Sequence, residues 1–143
     1  MPVAKALLNT PPDTTPNTFI TVNGRTVEAH LGEHLIEALN RDAAHLHQKQ
    51  VPQVCYLPQM GPIQSCDTCM VKVSANNGEP EQLVRACATP VTAHMSVATE
   101  GHQVDVAQRE AFDRILQNHM LYCTVCDNNN QNCTVHNLSL IHI

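Results

Sequence analysis

The sequence predicts an α+β domain in which a small mixed sheet is covered by one helix, with a second helix and a cysteine-rich segment after it. Three observations carry this prediction. A hairpin pattern stands near the start of the chain, an apolar stripe at helical spacing follows it, and short alternating segments lie beyond an irregular loop. The order of hairpin, helix and strands is typical of one compact α+β module.

The ordered part of the chain is predicted to begin with a hairpin. Residues 19–22 and 25–29 are rich in β-branched side chains, and an Asn-Gly pair between them supplies the positive φ angles of a type I′ turn. Apolar residues then recur at helical spacing over residues 33–43. We therefore expect two antiparallel strands followed directly by a helix.

The middle of the chain is irregular before strands resume. Residues 51–69 contain three prolines and a glycine, which disfavour regular structure, and they hold three of the 7 Cys. Strands are predicted at residues 70–74, 82–87 and 95–99. An amphipathic stripe then predicts a helix over residues 103–118.

Composition excludes several classes of protein. The 143 residues carry 8 Lys+Arg and 13 Asp+Glu, a net charge of −5, which is unsuited to wrapping a nucleic-acid backbone. No apolar run approaches the ~20 residues of a membrane span. The first ten residues lack the apolar core of a secretory signal, so a cytoplasmic location is expected.

Cysteine usage indicates metal. The 7 Cys form an odd set in a chain without an export signal, which argues against a disulfide framework. The chain has 2 Tyr, 2 Phe and no Trp, so its apolar core is predicted to be thin. A thin core with many thiols suggests that bound metal does part of the structural work.

The cysteines fall into two groups. The first is Cys55-x10-Cys66-x2-Cys69-x17-Cys87, with three thiols in the irregular loop and the fourth on a predicted strand. Irregular backbone offers several free N–H groups that hydrogen-bond to sulfur, so the loop suits a metal cluster. Small residues in this loop would let its backbone approach closely.

The second group is His119-x3-Cys123-x2-Cys126-x6-Cys133. His119 stands four residues after Ile115, so its imidazole lies on the apolar helix face if the helix extends that far. With His119 as the eighth ligand, the 7 Cys complete two four-ligand sites.

Spacing leaves alternatives to iron–sulfur chemistry. The two C-x2-C pairs also fit zinc, and buried structural thiols are a further reading. A zinc ribbon spaces its pairs ~15–20 residues apart, whereas 53 residues separate Cys69 from Cys123. The thiols also stand in polar loops and not on apolar faces. Iron–sulfur ligation is favoured. The alternative hypothesis, from a different functional class, is an interaction module stabilised by zinc.

The two groups carry a resemblance. The first resembles the ferredoxin-type 2Fe–2S domain at the N-terminus of the large iron–sulfur subunit of respiratory complex I, of iron-only hydrogenases and of molybdenum formate dehydrogenases. The second is similar to the His(Cys)3-ligated 4Fe–4S segment that follows in these families. The sequence LYCTVCDNNNQNCTVHN looks most like the formate dehydrogenase alpha subunit. Its x6 spacing is one residue longer than the complex I and hydrogenase pattern, which favours that branch.

The resemblance implies a β-grasp ferredoxin-like domain followed by a helix and a cluster-binding loop. It implies that Cys55, Cys66, Cys69 and Cys87 ligate a 2Fe–2S cluster. His119, Cys123, Cys126 and Cys133 would ligate a 4Fe–4S cluster. The sequence departs from the family pattern at Met120, where Pro is usual, and at Gln131, where Gly is common, but it keeps every ligand.

The implied function is an electron relay within a larger oxidoreductase. A formate dehydrogenase oxidises formate to CO2 and passes electrons to NAD or another acceptor. Its molybdopterin and further 4Fe–4S clusters would lie beyond Asn137, so no catalytic site is expected within these 143 residues. The expected partner is an electron-acceptor subunit or an NAD/flavin module of a multi-subunit complex, with no nucleic acid and no membrane span. A hydrogenase or complex I subunit is the alternative within the same chemistry.

The predicted organisation has four parts. Residues 1–17, with four prolines, form a disordered tail, and residues 18–100 form the 2Fe–2S ferredoxin-type domain. Residues 101–137 form the 4Fe–4S segment. Residues 138–143, LSLIHI, match the translation of a common sequencing adapter and are interpreted as an artefact, with a short apolar C-terminal strand as the alternative.

Overall fold

The computed structural model describes residues 18–75, 79–119 and 133. It contains a mixed five-stranded sheet of order β2-β1-β5-β3-β4 and two helices. The elements are β1 (Thr18–Val22), β2 (Arg25–Ala29), α1 (Leu35–His45), β3 (Met70–Ser74), β4 (Gln82–Arg85), β5 (Ser96–Ala98) and α2 (His102–Asn118). The predicted α+β class and element order are confirmed, and α1 packs on the sheet as the β-grasp resemblance implies.

The hairpin forms where the Asn-Gly pair predicts it. Asn23 and Gly24 have φ angles of 48° and 81°, and β1 pairs antiparallel with β2 through contacts such as Ile20 opposite Val27. Alternation along β1 buries Ile20 and leaves Phe19 exposed. The inner face of the hairpin therefore contributes to the core, and its outer face meets solvent.

A parallel pairing makes the sheet mixed. β1 runs parallel to β5, with Thr21 opposite Ser96, and the backbone N–H of Thr21 donates to the carbonyl of Met95 at 2.9 Å. β5 also pairs antiparallel with β3. The short β5 therefore joins the hairpin to β3, the strand that follows the cysteine loop.

Helix α1 begins two residues later than predicted. Its first backbone N–H groups donate to the segment after β4: Leu35 bonds the carbonyl of Thr89 at 2.9 Å, and Ile36 bonds that of Ala86 at 3.0 Å. These long-range bonds satisfy N–H groups that have no partner inside the helix. The start of α1 is thus anchored beside Cys87.

Helix α2 packs against the strand that follows the cysteine loop. Its buried residues are Val104, Gln108, Ala111 and Phe112. The side chain of Gln108 is 4% exposed and donates to the carbonyl of Met70 at 2.9 Å. This bond satisfies a buried amide and fixes α2 to the first residue of β3.

One prediction is wrong, and two predicted segments lie outside the described residues. Cys87 was expected on a strand, but β4 ends at Arg85 and Cys87 lies in a turn, because Ala88 and Thr89 both bond back to the carbonyl of Arg85 at 3.1 Å. The predicted tail 1–17 and the terminal segment 138–143 lie outside the described residues. Neither described helix has the length and apolar character needed to cross a bilayer.

Candidate metal centre

The fold brings the four cysteines of the first group together. Cys55 and Cys66 lie in the irregular loop, Cys69 directly precedes β3, and Cys87 lies in the turn after β4. The thiols interact as two hydrogen-bonded pairs, Cys55 with Cys66 and Cys69 with Cys87. Charge on Cys55 or Cys66 also acts on both members of the second pair. None of the four forms a disulfide.

The loop backbone turns N–H groups toward sulfur. Gly61, Gln64 and Asp67 all have left-handed backbone, with φ angles of 75°, 63° and 56°. The N–H groups of Ser65 and Cys66 donate to the thiol of Cys55. Left-handed residues in succession with right-handed ones create such concave nests of N–H groups, which favour anions. The expectation that irregular backbone would present N–H groups to sulfur is confirmed.

The second thiol pair is the more buried. Cys69 and Cys87 are 2% and 1% exposed. Burial raises the pKa of Cys69 despite bonds from Cys87, and burial together with the Cys69 side chain raises the pKa of Cys87 to about 12. These two sulfurs keep their protons near neutral pH unless a metal binds them, because a metal ion deprotonates a coordinating thiol.

Cys55 behaves in the opposite way. Burial alone would raise its pKa, but hydrogen bonds from the backbone and side chains of Cys66 and Ser65 outweigh burial and lower the pKa to about 7. Cys66 also lies 3.1 Å from the hydroxyl of Thr68, measured from Sγ to Oγ1. The first pair is therefore polarised by hydrogen bonds, whereas the second is enclosed.

The donor set fits a two-iron cluster. Within residues 18–75, 79–119 and 133, no three His, Cys, Asp or Glu side chains are grouped to hold a single metal ion. The four thiols instead form two pairs. Two thiolates for each of two irons is the ligand set of an all-cysteine 2Fe–2S cluster.

A network of three charged side chains lies next to the thiols, and the sequence does not predict it. Asp67, between Cys66 and Cys69, accepts hydrogen bonds from Nε of Arg85 and, at 3.0 Å, from Nη2 of Arg114. Asp67 raises the pKa of Arg85. Because the partners stand 18 and 47 residues from Asp67, no local pattern in the sequence signals the network.

The second ligand group is described only in part. Helix α2 ends at Asn118, whose side-chain amide bonds the carbonyl of Arg114 at 2.9 Å, so His119 is an exposed, extended residue beyond the helix. The helix therefore does not extend to His119, and the condition under which its imidazole would lie on the apolar face is not met. Cys123 and Cys126 lie outside the described residues, and Cys133 is half-buried.

His119 nevertheless lies close to the first group. A cleft of about 440 Å³ between the cysteine loop and the end of α2 is lined by both Cys66 and His119. Ile115 and Arg114 form part of its α2 wall. The structure thus places one residue from each predicted ligand group on the same cleft.

Two family models match the chain. The model described as the 2Fe-2S iron-sulfur cluster binding domain matches residues 16–102. The model described as the NADH-ubiquinone oxidoreductase-G iron-sulfur binding region, a 4Fe–4S model, matches residues 108–142. The matches agree with the 2Fe–2S and 4Fe–4S cofactors that the resemblance implies.

Similar proteins carry a formate dehydrogenase name. “Putative formate dehydrogenase YrhE” of Bacillus subtilis is 46% identical over 118 residues, which cover 82% of this chain and 11% of that protein. “Putative formate dehydrogenase SH0748” of Staphylococcus haemolyticus is 44% identical over 120 residues, which cover 83% of this chain and 11% of that protein. The chain thus spans about a tenth of the length of these relatives.

A solved structure shares the fold. A chain of an NAD+-reducing NiFe hydrogenase in its H2-reduced state superposes with a TM-score of 0.69 at 21% sequence identity. The match covers 88% of this chain and 49% of that chain. At this identity the likeness establishes the fold.

Proposed function

Because the chain belongs to the family of 2Fe-2S iron-sulfur cluster binding domains, we propose that it is an electron-relay portion of a larger oxidoreductase. Its 2Fe–2S cluster is held by Cys55, Cys66, Cys69 and Cys87. The observation that carries this proposal is the convergence of these four thiols, from three separate parts of the chain, into two interacting pairs.

The chain's own residues do two things for the cluster. Cys55 and Cys66 present sulfur from a loop whose N–H groups donate to the Cys55 thiol, so negative charge is stabilised there. Cys69 and Cys87 supply enclosed sulfur that excludes water. When bound, the cluster takes up and returns one electron.

The second site completes the relay. His119, Cys123, Cys126 and Cys133 hold the 4Fe–4S cluster in this proposal, supported by the match over residues 108–142. His119 is exposed, so its imidazole is available to a ligand, and it shares a cleft with Cys66.

The larger enzyme is proposed to be a formate dehydrogenase. The names of the relatives support this assignment. The matched region makes up 11% of each of these two proteins, so most of their length lies outside it. Formate oxidation at molybdopterin, further 4Fe–4S clusters and the contact with an NAD/flavin module or other acceptor subunit are assigned to the rest of the enzyme. Residues 1–143 carry no formate chemistry in this proposal, and a cytoplasmic location stays a prediction.

Reductive titration tests the relay. The chain, reconstituted anaerobically with iron and sulfide, is expected to bleach on addition of dithionite and to recover on reoxidation. Formate in place of dithionite is expected to leave the spectrum unchanged. A colourless protein that takes up zinc but no sulfide would support the zinc-stabilised module, and reduction by formate would contradict the absence of a catalytic site.

A further inference from the structure

Three charged side chains meet beside the four thiols, and the relay described above does not use them. Asp67 separates Cys66 from Thr68 in the cysteine loop and bonds both Arg85 and Arg114. Arg85 ends β4, two residues before Cys87. Arg114 lies on α2, five residues before His119.

We propose that Arg114 and Arg85, held in place by Asp67, are positioning residues that raise the reduction potential of the cluster at the cysteine loop. The inference rests on the proposed function, because it needs a cluster held by the four cysteines. These three residues thereby adjust the reduction potential of the cluster beyond the value that its ligands set.

The charges have the sign that this control requires. The two guanidinium groups offset two carboxylates, that of Asp67 beside Cys66 and that of Glu110, which lines the same groove. Reduction adds negative charge to a cluster, so a fixed positive charge nearby stabilises the reduced state more than the oxidised state.

The network also fixes the distance over which the charge of Arg114 acts. Arg114 reaches the loop from α2, and the 3.0 Å bond to Asp67 keeps its guanidinium at the loop instead of in solvent. Arg114 is 56% exposed, so the effect should weaken at high salt.

Removing Arg114 should leave α2 in place. Gln108 independently bonds the carbonyl of Met70, and Val104, Ala111 and Phe112 are buried against the rest of the domain. An Arg114→Gln variant therefore keeps the helix anchored and removes one charge. This separates an electrostatic effect from loss of structure.

The test is a redox titration of the 2Fe–2S signal by EPR, at low and at high salt, with the iron content of each protein measured alongside. Arg114→Gln and Arg85→Gln are each expected to lower the midpoint potential. In an Asp67→Asn background, Arg114→Gln should shift the midpoint less than in the wild type, because Asp67 no longer holds the guanidinium at the loop. Arg114→Lys should stay near the wild type.

A matched ion pair provides the control. Arg25 and Asp42 lie 3.1 Å apart with exposed fractions of 43% and 21%, close to the 56% and 26% of Arg114 and Asp67. Because Arg25 lies on β2, at the opposite edge of the sheet from β4, Arg25→Gln should leave the midpoint unchanged.

The outcomes separate the inference from the function on which it rests. Coincident midpoints in proteins with full 2Fe–2S signal, or an Arg114→Gln shift of the same size with and without Asp67, would overturn the inference alone. A wild-type protein without any 2Fe–2S signal would contradict the proposed function, and the inference with it.

Discussion

Glu33 ties the start of α1 to the rest of the domain, and replacing it with Gln should destabilise the fold. Its carboxylate receives two bonds from Arg41, at 2.8 and 2.9 Å, and a third from the backbone N–H of His30 at 2.7 Å. Its main-chain carbonyl accepts from Val91 at 2.8 Å. Glu33→Gln keeps the size of the side chain and removes its charge.

The expected cost follows from these bonds. The Glu33 side chain is 12% exposed and that of Arg41 is 40% exposed, so the pair is partly screened and its ion pair is worth up to about 1 kcal/mol. Losing the charge also weakens the bond from His30, because hydrogen bonds to charged groups exceed neutral ones by roughly 1 kcal/mol. We expect a loss of about 1–2 kcal/mol in the free energy of unfolding.

The loss should depend on pH in a defined direction. Partial burial raises the pKa of Glu33, but the bonds from Arg41 and His30 outweigh it and hold the pKa below its usual value. A depressed folded-state pKa contributes stability that is present above the unfolded value of ~4.3 and is lost as pH falls through the folded value. The difference between wild type and variant should be full at pH 7 and shrink below pH ~4.

Urea unfolding of the apo protein measures this difference without acid loss of iron. Arg25→Gln is the control, because Arg25 bonds only exposed side-chain groups in the described part of the chain, Asp42 at 3.1 Å and Gln48 at 3.3 Å, so its loss should cost less. A Glu33→Gln cost no larger than that of Arg25→Gln, or one that grows on acidification, would refute the reasoning.

Three further outcomes are expected. Leu35→Ala, at a fully buried position, should lower the free energy of unfolding by about 2–5 kcal/mol in urea titration, and a cost below ~1 kcal/mol would contradict the packing of α1. In hydrogen exchange, residues 61–69 should be more protected in the cluster-loaded protein than in the apo protein, whereas β1 and β2 should be protected in both. Equal protection of residues 61–69 in the two forms would contradict this. His119→Ala should remove the 4Fe–4S signal in EPR and keep the 2Fe–2S signal, and an intact 4Fe–4S signal would exclude His119 as a ligand.

Local chemistry explains which parts of the fold were predictable. The Asn-Gly turn and the flanking β-branched residues specify the hairpin within a few residues, and the strand at Met70–Ser74 matches its prediction fully. The convergence of the four thiols could also be predicted, because the spacing of cysteines along the chain indicates a shared metal site.

Long-range contacts explain what was not predictable. The start of α1 shifts to Leu35 because its N–H groups bond residues near Cys87, and Cys87 leaves the strand because the chain turns after Arg85. The two partners of Asp67, Arg85 and Arg114, lie on β4 and on α2, far from Asp67 in the sequence. Periodicity in one segment carries no information about such partners.

Metal analysis of the wild type, together with EPR of two single cysteine variants, tests the central claim most directly. The wild-type protein, purified anaerobically, should contain iron and acid-labile sulfide in equal amounts, about six of each per chain for one 2Fe–2S and one 4Fe–4S cluster. Cys87→Ala should lose the 2Fe–2S signal in EPR and keep the 4Fe–4S signal, and Cys123→Ala should do the reverse. Stoichiometric zinc without labile sulfide in the wild type, or a 2Fe–2S signal that survives in Cys87→Ala, would contradict the claim that the four converging thiols hold a two-iron cluster.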